Sequence, residues 1–165
     1  MILQYFKKKE NKEQIIATKQ YKKILYESNI FLNDNNFFIV RDYRTSFEIV
    51  SIFLIMFIRL NLLEENKKKY KIINDKLVSL FISDLDESLR EKGIGDMSIG
   101  KYVKSYVKKF YFRISKFPDD NNLANDETFI EYLKMTNIIK SDDYVNVSRK
   151  FNDKFEDFLN SKLIF

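Results

Sequence analysis

The sequence predicts an all-α fold, a single domain of about six helices packed around an apolar central helix at about 46–63. Three observations carry this. Apolar residues recur three and four positions apart through most of the chain, and no stretch shows the alternation of a half-buried strand. Capping and breaking residues punctuate those segments at helical lengths. The composition, 45% hydrophobic with 16 phenylalanines in 165 residues, supplies a large aromatic core. A chain of this length buries close to 70% of its unfolded surface, so it needs no disulfide or metal to hold together.

The first helix covers about 10–28, with Ala17, Tyr21, Ile24, Leu25 and Ser28 on one face. The polar stretch Asn33–Asn36 then makes a loop. Thr45-Ser46-Phe47-Glu48 has the form of a capping box, in which the hydroxyl and the carboxylate would satisfy each other's backbone amides. The helix that follows is apolar nearly all round, which marks it as central. Its longest uncharged run, Ile49–Ile58, is shorter than the roughly 20 residues a membrane span needs, so it reads as a core helix. Glu64–Lys69 forms a charged turn. A long helix at about 70–92 carries Ile73, Leu77, Leu80, Phe81, Leu85 and Leu89 and stops at Gly93. The next, about 98–117, has Ile99, Val103, Tyr106, Val107, Phe110, Ile114 and Phe117 on its apolar side and Lys101, Lys104 and Lys108 opposite. Pro118 and the polar residues after it end that helix. Helices at about 126–137 and 142–162 complete the fold, the last with Tyr144, Val147, Phe151, Phe155 and Phe158 as its stripe. The basic residues 1–9 are expected to form a flexible N-terminus, and 10–165 the helical domain.

Gly93, Gly95 and Gly100 are the only glycines, where average usage would give roughly eleven or twelve. From Gly95 the spacing reads G-x-x-x-x-G-K, but Tyr102 stands where a phosphate-binding loop needs Ser or Thr, and a helix precedes it rather than a strand. The cluster reads better as a rigid helix–helix corner. Gly93 stops one helix, Gly95 takes a second unusual conformation, Asp96 or Ser98 caps the next helix, and Gly100 allows close approach of another element.

The chain has no Cys and no His. That removes thiolate and imidazole metal sites, Ser-His-Asp and Cys-His centres, and disulfides, and it fits a reducing compartment. The carboxylates of Asp84, Asp86 and Glu87 lie on one helix at a spacing that makes no convergent pair, so a binding protein is favoured over an enzyme. The net charge of +5, mostly lysine, suits a solvated exterior, an RNA or an acidic membrane surface.

The string Asp84-Leu85-Asp86-Glu87-Ser88-Leu89-Arg90-Glu91-Lys92-Gly93-Ile94-Gly95-Asp96-Met97-Ser98-Ile99-Gly100-Lys101 resembles the signature of the ubiquinol–cytochrome c chaperone family, in which an aspartate and LRE lead into a G-[VI]-GD turn. Phe110-Tyr111-Phe112-Arg113 is similar to the family's FYGR, and Arg44 with Phe47 to Leu60 resembles its RFDLL…LRRL helix. The resemblance spans about residues 20–140. Two positions depart from the pattern: Phe53 stands where the family usually has His, and Phe112 where FYGR has Gly.

The resemblance implies a helical, non-enzymatic assembly chaperone without a bound cofactor, one that binds newly made cytochrome b and assists biogenesis of the cytochrome bc1 complex. It also implies a cytoplasmic location near the inner membrane, with a ribosome near the exit tunnel and a small partner protein as further partners. Candidate client contacts are Met97, Tyr102, Tyr106, Tyr111 and Phe112; ordinary core packing is the alternative and the favoured reading for Tyr106, whereas Tyr111 and Phe112 project off the core stripe. Asp86, Arg90, Glu91, Asp96 and Arg113, with Gly93, Gly95 and Lys101, either form the corner or recognise the partner. Lys101, Lys104 and Lys108 are candidate RNA contacts, and Met1-Ile2-Leu3-Gln4-Tyr5-Phe6-Lys7-Lys8-Lys9 a weak membrane contact. The alternative function is a helical RNA- or ribosome-binding module that uses the lysine face and no apolar client.

Overall fold

A helix that is apolar on every side can be stable in water only if other elements surround it. The computed structural model describes residues 11–161 apart from 35, 120–122 and 125, and it places such a helix at the centre of six. In chain order these are α1 (Lys12–Asp34), α2 (Tyr43–Leu63), α3 (Lys67–Glu91), α4 (Asp96–Lys116), α5 (Glu127–Thr136) and α6 (Tyr144–Asn160). By length and composition α2 is apolar enough to cross a membrane, yet 67% of its apolar window is buried within the fold. The expected N-terminal segment 1–9 lies outside the described residues.

Helix α1 lies along α2 and α3, α4 packs on α3 and α2, and α5 pairs with α6. Aromatic rings join the groups. Phe53 of α2 meets Phe31 of α1 at 5.7 Å and Phe151 and Phe158 of α6 at 5.6 and 6.1 Å. Phe53 is fully buried among them, a purely apolar packing site.

One polar knot interrupts this core. Gln20 and Asn61 exchange two amide hydrogen bonds of 2.9 Å, Asn61 also donates to the Asn74 carbonyl oxygen at 2.7 Å, and Asn74 donates to the Ile58 carbonyl at 3.2 Å. The knot ties α1, α2 and α3 in one register, because any slip would leave buried amides unpaired.

Several boundaries differ from the sequence expectation. Helix α1 runs on to Asp34 because Phe31, in its last turns, stacks on Phe151 at 4.3 Å and extends the buried face. Helix α3 begins inside the expected turn, where the Asn66 side chain accepts the Lys69 amide. The capping box does not form. Asp42 caps α2 by accepting the Thr45 amide at 2.9 Å, the Thr45 hydroxyl donates to the Val40 carbonyl at 2.6 Å, and Glu48 faces the interior. The α1–α2 and α5–α6 connections meet in a single antiparallel bridge, Phe38 with Ile139, closed by Ile39 N–H to Ile138 O at 2.9 Å and Lys140 N–H to Phe37 O at 2.8 Å.

Candidate functional site

The corner between α3 and α4 is built by its backbone. Gly93 has φ +86°, a conformation that costs an L-residue with a side chain about 1–2 kcal/mol. Its N–H donates to Arg90 O at 2.8 Å, and the Ile94 N–H donates to Leu89 O at 3.2 Å. This is the paired closure of a helix C-terminus that glycine permits. The other two glycines behave differently from expectation. Gly95 has an ordinary extended φ of −69° and caps α4 without a side-chain bond, so neither Asp96 nor Ser98 is the cap. A side chain at Gly100 would meet nothing within 4 Å, so no element approaches closely there.

Arg90 spans the corner. Its Nε donates to Asp86 Oδ2 at 2.6 Å, one turn back on α3, and its Nη1 reaches the Asp96 carboxylate at the start of α4. Both ion pairs are exposed, as is Glu91. Lys92 lays its ammonium over the Tyr43 ring at 4.9 Å, and the Tyr43 hydroxyl is 3.0 Å from Ser88 Oγ, which fastens the corner to α2.

Arg113 takes no part in this network. It is buried, and its Nε and Nη2 grip the two oxygens of fully buried Glu48 at 2.8 and 2.7 Å. Lys109 reaches the same carboxylate at 2.7 Å, and Arg113 Nη2 also donates to the Met135 carbonyl at 3.4 Å. Arg44 donates to the Thr136 carbonyl at 3.1 Å. Helices α2 and α4 therefore meet at one carboxylate, and α5 joins them through its Met135 carbonyl on Arg113. The bidentate fork satisfies the geometry that a buried charge requires. The Tyr132 hydroxyl is buried nearby without a hydrogen-bond partner among the described residues, and burial together with Glu48 pushes its pKa well above the usual tyrosine value. The expected single network of Arg90, Glu91, Asp96 and Arg113 is thus two separate clusters, one exposed at the corner and one sealed in the core. Local sequence rules miss the second because they offer Glu48 the role of a cap. The available signal was its position, one of only two charges in the apolar run from 46 to 63.

Helix α4 carries a second surface. Only Ile99, Phe110 and Arg113 of its residues are buried. On the outer side Lys101, Lys104 and Lys108 are exposed, Met97 is fully exposed, and Tyr111 and Phe112 are about half exposed, as is Tyr102. The Lys116 ammonium lies 5.8 Å from the Phe112 ring centre. Asp96 is the only acid on the helix, and Arg90 engages it, so the lysines have no acidic neighbour on their own element. Tyr106 turns inward, as its place on the apolar side predicts, packing its ring on Phe47 at 4.8 Å and Tyr43 at 5.4 Å. Phe112, about half exposed, points away from the core.

The carboxylates considered for catalysis stay apart: Asp84 accepts from the Tyr21 hydroxyl at 2.9 Å, while Asp86 serves Arg90. Among the described residues no cluster of carboxylates is arranged to hold a metal ion.

Comparison with known proteins agrees with this picture. The chain is similar over 99% of its length, and over 93% of the other chain, to a crystal structure of the Cbp3 homolog from Brucella abortus, with a TM-score of 0.67 and 22% sequence identity. At that identity the likeness establishes the fold. No curated protein matches the sequence at a significant level. The family profile described as ubiquinol-cytochrome C chaperone matches residues 39–149, a span that holds α2 through the first turns of α6, including both the corner and the Glu48 cluster. The chain belongs to the ubiquinol–cytochrome c chaperone family.

Proposed function

We propose that this protein is an assembly chaperone for the cytochrome bc1 complex that shields an apolar segment of newly made cytochrome b on the outer face of α4. The observation that carries the reading is the composition of that face: exposed Met97, Tyr111 and Phe112 beside lysines, on a helix held rigid by Arg90 at one end and Glu48 beneath. Methionine and aromatic side chains adapt to variable apolar clients, and a helix face can present them to a client helix. Membership of a chaperone family accords with a binding role rather than catalysis.

In this reading Arg90, Asp86, Glu91 and Asp96 set the angle of α4, and Arg113 anchors it from within. Arg113 is too deeply buried to touch a client, so its part is positional. Lys101, Lys104 and Lys108 form the part of the face suited to ribosomal RNA, because phosphate attraction needs charge and little geometry. A ribosome site and a client site on one helix would let the chaperone meet cytochrome b as it is made, on the cytoplasmic side of the inner membrane and with a small partner protein.

The test is site-specific photo-crosslinking. With p-benzoylphenylalanine at position 112, or in a second strain at 97, cells making tagged cytochrome b should yield a crosslinked pair, whereas the same probe at exposed Tyr26 should not. Crosslinks to ribosomal components only, with cytochrome b absent, would favour the RNA-binding reading. That alternative is supported by the lysine face alone.

A further inference from the structure

Far from the α3–α4 corner, α2 ends in an exposed apolar tip. Leu62 and Leu63 are each 50% exposed at adjacent positions. They border an open groove of about 360 Å³ floored by Ile55, Ile58 and Ile114 and flanked by Arg59 and its ion-pair partner Asp119. Two neighbouring half-exposed leucines continuous with an apolar groove form a patch that water alone does not favour.

Around the tip lysines outnumber carboxylates, Glu64, Glu65 and Asp119 included. The chain turns at Glu64 and enters α3 through Lys67, Lys68, Lys69 and Lys71, so four lysines outnumber two glutamates over 62–71. Lys67, Lys68 and Lys71 are exposed, and the Lys67 ammonium reaches back to the Leu62 carbonyl, which holds its charge beside the leucines. Helix α1 runs antiparallel to α2, since Gln20 pairs with Asn61 while Phe31 meets Phe53. Its first turns therefore arrive at the same end, where Gln14 accepts from Lys76 at 3.0 Å.

We propose that this end of the bundle docks on an anionic bilayer surface, with Leu62 and Leu63 entering the headgroup boundary and Lys67, Lys68 and Lys71 contacting lipid phosphates. The charge identifies the occupant. A lysine-ringed leucine tip at a helix end fits a flat, negatively charged surface, where each lysine near the surface contributes about 1 kcal/mol, or roughly a fivefold change in binding. Two leucines and a few lysines make a reversible contact rather than an anchor. The proposal is independent of the client site on α4.

The chain contains no tryptophan, so a single introduced one reports its own position. The full-length Leu63→Trp variant should show an emission shift to the blue, and quenching by brominated acyl chains, with phosphatidylcholine–phosphatidylglycerol vesicles and not with phosphatidylcholine alone. Phe112→Trp, on the α4 face, should show neither. The double variant Leu62→Ser with Leu63→Ser should keep its helical circular dichroism and lose sedimentation with anionic vesicles, and Lys68→Gln should weaken that binding roughly fivefold. Undiminished vesicle binding by the double serine variant would overturn the proposal. So would a lipid-dependent shift at Phe112→Trp in place of Leu63→Trp, or a shift at Leu63→Trp that follows protein concentration without lipid, which would mean that a second copy covers the tip.

Discussion

Replacing Arg113 by Ala should destabilise the fold strongly while leaving client contact intact. The substitution removes both donors that grip Glu48 at 2.7–2.8 Å, and Glu48 is 0% exposed, so its carboxylate cannot recover those bonds from water. Breaking a buried ion pair from one side costs about 3–5 kcal/mol. Lys109 still reaches Glu48 Oε1 at 2.7 Å, which puts the cost near the low end, about 3 kcal/mol. In a domain of this size each kcal/mol lowers Tm by about 2–4 °C, so thermal unfolding followed by circular dichroism should fall by about 6–12 °C. The double variant Glu48→Leu with Arg113→Met should recover most of that loss, because well-packed apolar groups replace a buried pair at little cost. At a temperature where the Arg113→Ala protein is folded, a crosslinker at position 112 should still capture cytochrome b. Melting of Arg113→Ala within about 2 °C of the unchanged protein would refute the reasoning, since no buried pair is that weak when broken from one side.

Other outcomes separate residues that look alike in the sequence. Gly93→Ala should lower stability by about 1–2 kcal/mol through its left-handed backbone, whereas Gly100→Ala, in the first turns of α4 with open space around it, should raise stability by about 0.5–1 kcal/mol; urea titrations check both. Arg90→Ala, whose ion pairs are exposed, should leave the melting curve close to that of the unchanged protein. Asn61→Ala should cost about 2–3 kcal/mol in the same titration because it orphans the buried amides of Gln20 and Asn74. Burial of Glu27 raises its pKa, but hydrogen bonds from Lys154 and Lys23 outweigh that and leave it below the usual carboxylate value. Its contribution is thus full above the ordinary glutamate pKa and is lost as pH falls through the depressed one, so Glu27→Gln should lose stability at neutral pH and show a shallower acid limb.

The helices were legible because their signal is local. Apolar spacing in α3 and α6 and the stop at Gly93 depend on residues within a few turns, and the structure reproduces them. The corner was legible in outline for the same reason, down to the Asp86–Arg90 pair one turn apart. What stayed hidden was carried by distance along the chain. Glu48 and Arg113 are 65 positions apart, and Gln20 and Asn61 are 41 apart. Local rules instead offered Glu48 a cap and placed Arg113 in the corner network. Burial decides against both, because a carboxylate that faces the core must find its cations there. The exposure of Tyr111 and Phe112 beside the lysines and the inward turn of Tyr106 both follow from helical projection, whereas the ring partners of Tyr106, Phe47 and Tyr43, lie across the packed face and are not legible locally. The exposed tip at Leu62 and Leu63 is not legible in the sequence, since the end of an apolar helix reads as more core until the structure shows where the covering helices stop.

The most direct test of the assembly role is a haem difference spectrum of membranes from cells lacking the gene, beside cells that carry it on a plasmid. A selective loss of cytochrome bc1 haem b, restored by the plasmid and not by a version with Met97, Tyr111 and Phe112 all changed to Ser, is the result expected here. An unchanged bc1 spectrum in the deletion strain would contradict the account and bring forward the RNA-binding function of the lysine face.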